Sequence, residues 1–175
     1  MTRQPSFLRN AVTSGAVASL LSTAVLVSRG RSDAGSRAAP FNAVSHWLFG
    51  DKAYHVDQPD LPHTALGVAM HQLSGVFWGL LFEGFLHRIS RSDNPPRLLA
   101  AGANGRAVAV RAPNRGEIVA SAAVTTAIAA LTDLRLVPAR LSPGFEHRLR
   151  TDSLILTYVV FGAGLALGAA ALRRD

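Results

Sequence analysis

Three side chains of the kinds that move protons fall at similar depth in three separate apolar stretches: His71, Asp133 and Tyr158. A histidine, a carboxylate and a phenol placed together can pass a proton along hydrogen bonds, and ionisable groups inside a bilayer are functional candidates by default. The competing role is mechanical. Ser22, Thr23 and Thr157 lie at the same depth, and a buried histidine that bonds a neighbouring hydroxyl simply ties two helices together. Asp133 also has Arg135 and Arg140 nearby in sequence, so an interfacial ion pair is the plain reading of that carboxylate. Glu83 is the fourth intramembrane polar candidate. It stands four residues before His87, the spacing of an interfacial Glu to His pair on one helix face.

Other chemistries find little footing. The chain has no cysteine, which excludes disulfides, thiolate metal sites and cysteine nucleophiles. His46, His55 and His63 are spaced too widely for a helical His-x-x-x-His pair and read as solvated or capping residues, so no metal site is expected. Haem held by two histidines needs a facing pair inside the spans, and His71 alone lies well inside one. No spacing matches a catalytic or cofactor motif. No catalytic residue and no cofactor are therefore expected, and an enzyme working at headgroup level with His46, His55 or His147 is the least supported reading.

The elements that must position these residues are four charge-poor stretches, near 11–28, 63–86, 117–137 and 154–172. Each is long enough, or nearly so, to cross a bilayer as a helix, and none carries the charged face that a soluble helix needs. The expected fold is all-α: one membrane domain over residues 1–175, with four transmembrane helices in an antiparallel bundle. The first stretch has the layout of a signal peptide as much as of a span, but Arg29 and Arg31 follow it at once and no small-x-small cleavage site follows Val27. It is expected to be retained.

Counting in fours along the second stretch gives His63, Gly67, His71, Gly75, Gly79, Glu83 and His87. Side chains four apart stack on one helix face, so the glycines on this ridge let a second backbone approach closely. The first stretch offers a small ridge of its own, Ala11, Gly15, Ser19 and Thr23, and the last carries Gly164 and Gly168 as a GxxxG pair. Gly67, Gly75, Gly79, Gly164 and Gly168 are the expected helix-packing positions. The third stretch has a polar ridge of Glu117, Ser121, Thr125, Ala129 and Asp133.

Between the first two spans, Phe41, Val44, Trp47 and Leu48 recur at helical spacing between Pro40 and Gly50. A short interfacial helix over about 41–50 is expected, with Trp47 and Tyr54 at headgroup level. The apolar segment from Leu98 to Val110 is too short and too interrupted by Gly102, Asn104, Gly105 and Arg106 to span.

The runs NAVSHWLFGD (Asn42 to Asp51), HTALGVAMH and FWGLLFE in the second span, and TDLRLVPARLSPGFEHRL after the third resemble a group of small, uncharacterised bacterial inner-membrane proteins. The resemblance covers most of the chain and implies a membrane protein. It brings no activity and no ligand.

Charge sets the partners and the orientation. The formal net charge is +7 and the basic residues are arginines except Lys52, yet they flank the apolar runs instead of forming a stripe with interleaved aromatics. That distribution points to the lipid bilayer and away from nucleic acid. With four spans, the N-terminus, middle loop and C-terminus share ten Lys or Arg against eight in the other two loops. Both termini are expected in the cytoplasm, with the protein in a bacterial inner membrane. The favoured function is a structural or accessory component that packs with itself or with a membrane-protein partner, its activity unnamed by the sequence. A small ion- or proton-coupled carrier using His71 and Asp133 is the alternative.

Overall fold

A computed structural model describes residues 7–92 and 112–173 of the chain, and every described element is helical. In order these are α1 (Phe7–Ala34), α2 (Ala39–Val44), α3 (His46–Phe49), α4 (Leu66–Ser92), α5 (Arg115–Leu131) and α6 (Thr151–Ala171). A π turn, Leu61–Ala65, leads into α4, and another, Thr132–Leu136, prolongs α5. Four segments are long and apolar enough to cross a membrane: Phe7–Ala34, Leu61–Ser90, Arg115–Leu136 and Thr151–Ala171.

Local chemistry explains where these helices start and stop. Helix α1 continues through Arg29 and Arg31 and ends at Gly35, whose φ of +70° is the left-handed conformation that favours glycine. Asp60 opens the α4 segment, accepting from the His63 amide at 2.7 Å, with Pro62 in the first turn. Helix α5 starts with a capping box, in which Asn114 accepts from the Glu117 amide at 2.9 Å and Glu117 accepts from the Asn114 amide at 2.7 Å. At the head of α6, Arg150 has no side-chain cap of its own. Its amide donates instead to Asp33 of α1 at 3.0 Å, which ties the end of one helix to the beginning of the other.

Helix α1 packs between α4 and α6, and the contacts rest on small residues. A Cβ added to Gly75 would stand 2.5 Å from Cβ of Ser19, and one added to Gly79 would stand 2.3 Å from the Ala11 carbonyl oxygen. On the other side of α1, Gly164 meets the Ala18 backbone and Gly168 meets that of Ser14. In both pairings the contact positions climb one helix as they descend the other. Lipid gives no hydrophobic reward for bringing helices together, so this close backbone approach supplies much of the attraction. Helix α5 closes the bundle against α4 and α6, with Trp78, Phe82, Ile118, Phe161 and Leu165 in the shared core. The Glu117, Ser121, Thr125 and Ala129 ridge of α5 is buried.

The two connections at the other end fold into a cap. The expected interfacial helix is two short helices that meet at Ser45. Phe41 and Val44 turn inward onto Leu26, Phe145 and Leu149, while Trp47, Leu48 and Phe49 stay exposed. Asn42 is the cap's central tie: its amide nitrogen donates to the Val56 and Gln58 carbonyls at 2.9 and 3.0 Å, and its oxygen accepts from Thr64 at 2.6 Å. Trp47 reaches the second connection by donating to the Ser142 carbonyl at 2.8 Å, and Arg148 returns the tie by bonding the Tyr54 carbonyl and Asp57. Gly144, at φ +87°, lets the second connection lie against Ala43, where a Cβ would meet the carbonyl oxygen at 2.4 Å.

Candidate functional site

Beneath the cap, between α4, α5 and α6, lies a cavity of about 440 Å³. Each of its polar walls comes from a different element. Helix α1 contributes Ser22, α4 contributes His71 and Ser74, the π turn after α5 contributes Thr132 and Asp133, and α6 contributes Thr157 and Tyr158. The remaining lining is mainly apolar, with Trp78, Ala129 and Phe161 toward the middle of the bundle and Val44, Trp47 and Phe145 toward the cap.

Within this wall the polar groups form two separate pairs. His71 Nε2 lies 3.0 Å from Ser22 Oγ, and the Ser22 hydroxyl donates to the Ser19 carbonyl at 3.1 Å. Because a hydroxyl has one proton to give, Ser22 donates either to the Ser19 carbonyl or to the imidazole, and the tautomer of His71 follows from that choice. Phe41 and Phe145 stand edge-on to that ring, with centroids 6.1 and 6.5 Å away. The second pair is Tyr158, whose hydroxyl donates to Asp133 Oδ2 at 3.1 Å. The sequence offered Arg135 and Arg140 as partners of Asp133, but the phenol of the facing helix holds it. An extra residue in the π turn widens the helix where Asp133 leaves it, a feature often found at functional sites.

Glu83 is placed elsewhere. It is buried at the opposite end of the bundle, where it binds Arg173 at 2.7 Å and accepts from Ser14 at 3.4 Å. His87, one turn away, is exposed, so the expected interfacial Glu83–His87 pair is replaced by a pair that joins α4 to the end of α6. Of the histidines of the first connection, His46 departs from the solvated or capping reading. His46 is buried, with Nδ1 2.8 Å from the Ala43 carbonyl oxygen and Nε2 3.3 Å from that of Ala139. His63 bonds Asp60 at 2.7 Å, and His55 and His147 are exposed. Tyr54 stacks between His46 and His147, with centroids 4.9 and 4.4 Å away. Burial pushes its phenol up from the usual value, and the Glu146 and Asp51 carboxylates add to the rise.

Two residues that the sequence did not single out take part in the framework. Gln72 accepts from Ser19 at 2.5 Å and donates to Thr23 at 3.2 Å, which extends the polar seam between α1 and α4 by a turn beside His71. Its signal was its position next to His71 in a charge-free span. Asn42 had only its place in the NAVSHWLFGD run to mark it, and its three partners are distant in sequence. Among the described residues no group of three or more histidines and carboxylates is arranged to hold a metal ion. The segment from Leu98 to Val110, with Arg97 and Arg111 beside it, lies outside the described residues.

Comparison with protein-family models, with curated proteins and with solved structures gives no match.

Proposed function

We propose that this chain is an integral protein of the bacterial inner membrane, with both termini in the cytoplasm, that serves as an accessory component by holding a small molecule within its helix bundle. The observation that supports this reading is the cavity beneath the cap, where hydrogen-bonding side chains from four elements converge in a mainly apolar wall. Its volume of about 440 Å³ falls in the range of small-molecule sites, and a few polar groups in an apolar pocket are what fix a ligand's orientation. Gly75, Gly79, Gly164 and Gly168 are all occupied by α1, so a second copy or a partner protein would dock on other faces.

A small ion- or proton-coupled carrier is the second reading, supported by His71 and Asp133 lining one cavity. Their hydrogen bonds run to Ser22 and Tyr158 and not to each other, so a relay between them would need a guest or water in the cavity. Stability in detergent of His71→Leu, Asp133→Asn and the double variant measures their coupling, and strict additivity would remove the paired-site role.

Native mass spectrometry of the protein purified in mild detergent tests the main reading. A discrete small-molecule adduct is expected, reduced in Thr132→Phe, which places a ring in the cavity wall. An adduct that survives this change undiminished, or none from any preparation, would overturn it. The same spectrum reads the number of copies and any partner subunit.

A further inference from the structure

The cavity's exposed residues face the membrane. Leu73 and Phe77 of α4 line it and are 69% and 54% exposed, whereas Ser22, Thr157, Trp78 and Phe161 on the inner wall are buried. Counted from Leu61 at about 1.5 Å per residue, Leu73 and Phe77 lie roughly 18 to 24 Å along the helix. That is mid-depth in a span that runs from Leu61 to Ser90. The opening therefore meets lipid chains, not water. Trp47 and Leu141, 40% and 48% exposed, border its other end at the edge of the cap. The result is a slot that runs from headgroup level down toward the bilayer centre. His71, Asp133 and Tyr158 are set into its cap half, and apolar side chains fill the rest.

From this arrangement, and resting on the reading of the cavity as a binding site, we infer that its occupant is a single-chain amphiphile with an uncharged, hydroxyl-bearing head, such as a monoacylglycerol or long-chain alcohol, which enters sideways from the bilayer. Three properties of the wall select this class. The polar groups are gathered in the cap half, bordered there by Val44, Trp47 and Phe145, and the wall toward the middle of the bundle is mainly apolar, so head and chain are read separately. Among the described residues no lysine or arginine lines the cavity, so a phosphate or fatty carboxylate would meet Asp133 with no counter-charge from that wall, an expensive arrangement away from water. Tyr158 and Thr157 give their hydroxyl protons to Asp133 and to the Ser153 carbonyl, so with His71 and Asp133 they present chiefly acceptors, which suits a head whose hydroxyls donate. The volume, about 440 Å³, takes a head and part of one chain, the rest leaving through the opening.

The chain's own fluorescence provides the test, because it has two tryptophans, Trp47 and Trp78, and both line the cavity. Full-length protein in phosphatidylcholine nanodiscs is titrated with a monoacylglycerol brominated along its chain. Saturable quenching that removes most of the tryptophan emission is expected, together with reversal by unbrominated monoacylglycerol. Brominated phosphatidylcholine and brominated fatty acid at neutral pH should quench only in proportion to their amount. Thr132→Phe, with its melting curve checked, should lose the saturable part; if that variant fails to fold, the comparison among the three lipids still decides. Preference for the fatty acid, or equal saturable quenching by the two-chain lipid, would overturn the inference. Saturable quenching by water-soluble tribromoethanol with none by the monoacylglycerol would overturn it while leaving a small-molecule site in place. Absence of quenching by every probe, with no adduct in the mass spectrum, would remove both.

Discussion

Ser22 Oγ of α1 stands 3.0 Å from His71 Nε2 on α4 and 3.1 Å from the Ser19 carbonyl, so one hydroxyl joins the imidazole to the backbone of the facing helix. His71→Asn or His71→Gln should keep most of the structure, because an amide can still hydrogen-bond Ser22. His71→Leu should lower stability by about 0.6 to 2 kcal/mol, the scale of hydrogen bonds between membrane helices. Ser22→Ala should cost a similar amount, and the double variant should cost less than the two single changes added. Additive losses in detergent melts would show that the two side chains do not act as a pair.

The glycine contacts predict a graded response. Gly75→Leu and Gly79→Leu should each destabilise by about 1 to 3 kcal/mol or more, because the Cβ alone would overlap α1 atoms. Gly84 is the internal control, with nothing within 4 Å of an added Cβ. Gly84→Ala should be neutral or stabilising by about 0.5 to 1 kcal/mol, since alanine is the better helix former. Equal melting temperatures for all three variants would mean that α1 does not pack on this ridge.

Glu83 and Arg173 make a third case. Glu83 is buried, and its bond to Arg173 is 2.7 Å. Glu83→Gln should destabilise by about 1.5 to 3 kcal/mol, the usual worth of a hydrogen bond to a charged group, and should loosen the end of α6. Hydrogen exchange read over residues 165–173 should rise in the variant. Unchanged protection there would separate the ion pair from the docking of α6.

Acid stability should report on Asp60. The His63 amide that it caps, followed by the His63 side chain, holds this carboxyl below its ordinary value of 3.8. A carboxylate depressed in the folded state contributes stability that is fully present above the unfolded value and lost as pH falls through the lower folded one. Melting temperatures from neutral pH to below 3.8 should therefore fall more steeply in the natural protein than in Asp60→Asn, which keeps a cap but does not titrate. Parallel curves would show that the cap is not charge-dependent.

Reporter fusions check the orientation. Fusions after Ser36, Arg97, Ser142 and Asp175 should read outside, inside, outside and inside, following the ten-to-eight bias of Lys and Arg. A reversed pattern would place the cap on the cytoplasmic side.

The four long helices were legible because charge is nearly absent from them, and charge is the signal that survives without any knowledge of packing. Their ends were less so. Helix α1 runs on past Arg29 and Arg31, residues that mark the edge of an apolar stretch but do not interrupt a helix. The depth of His71, Asp133 and Tyr158 could be counted from the helical rise, yet their partners could not. Ser22, as a neighbour of His71, followed from depth alone, whereas the phenol at Asp133 replaced two arginines that were nearer in sequence. Glu83 is the sharpest example, since His87 is four residues away and Arg173 ninety. Local spacing favours the first, and only the packing of α6 supplies the second. Asn42 could not be read because its partners, Val56, Gln58 and Thr64, are brought together by the folding of the cap itself.

The place of α1 between α4 and α6 has a consequence for synthesis. Chains leave the ribosome from the N-terminus, so α1 enters the bilayer before either of its neighbours exists. Its Ser14 and Ala18 backbone is met by Gly168 and Gly164 of α6, much later in the sequence. Until α6 is released, that face of α1 stays open to lipid or to an insertion chaperone. A ribosome paused before Thr151 would hold a bundle whose α1 lacks its contact with α6.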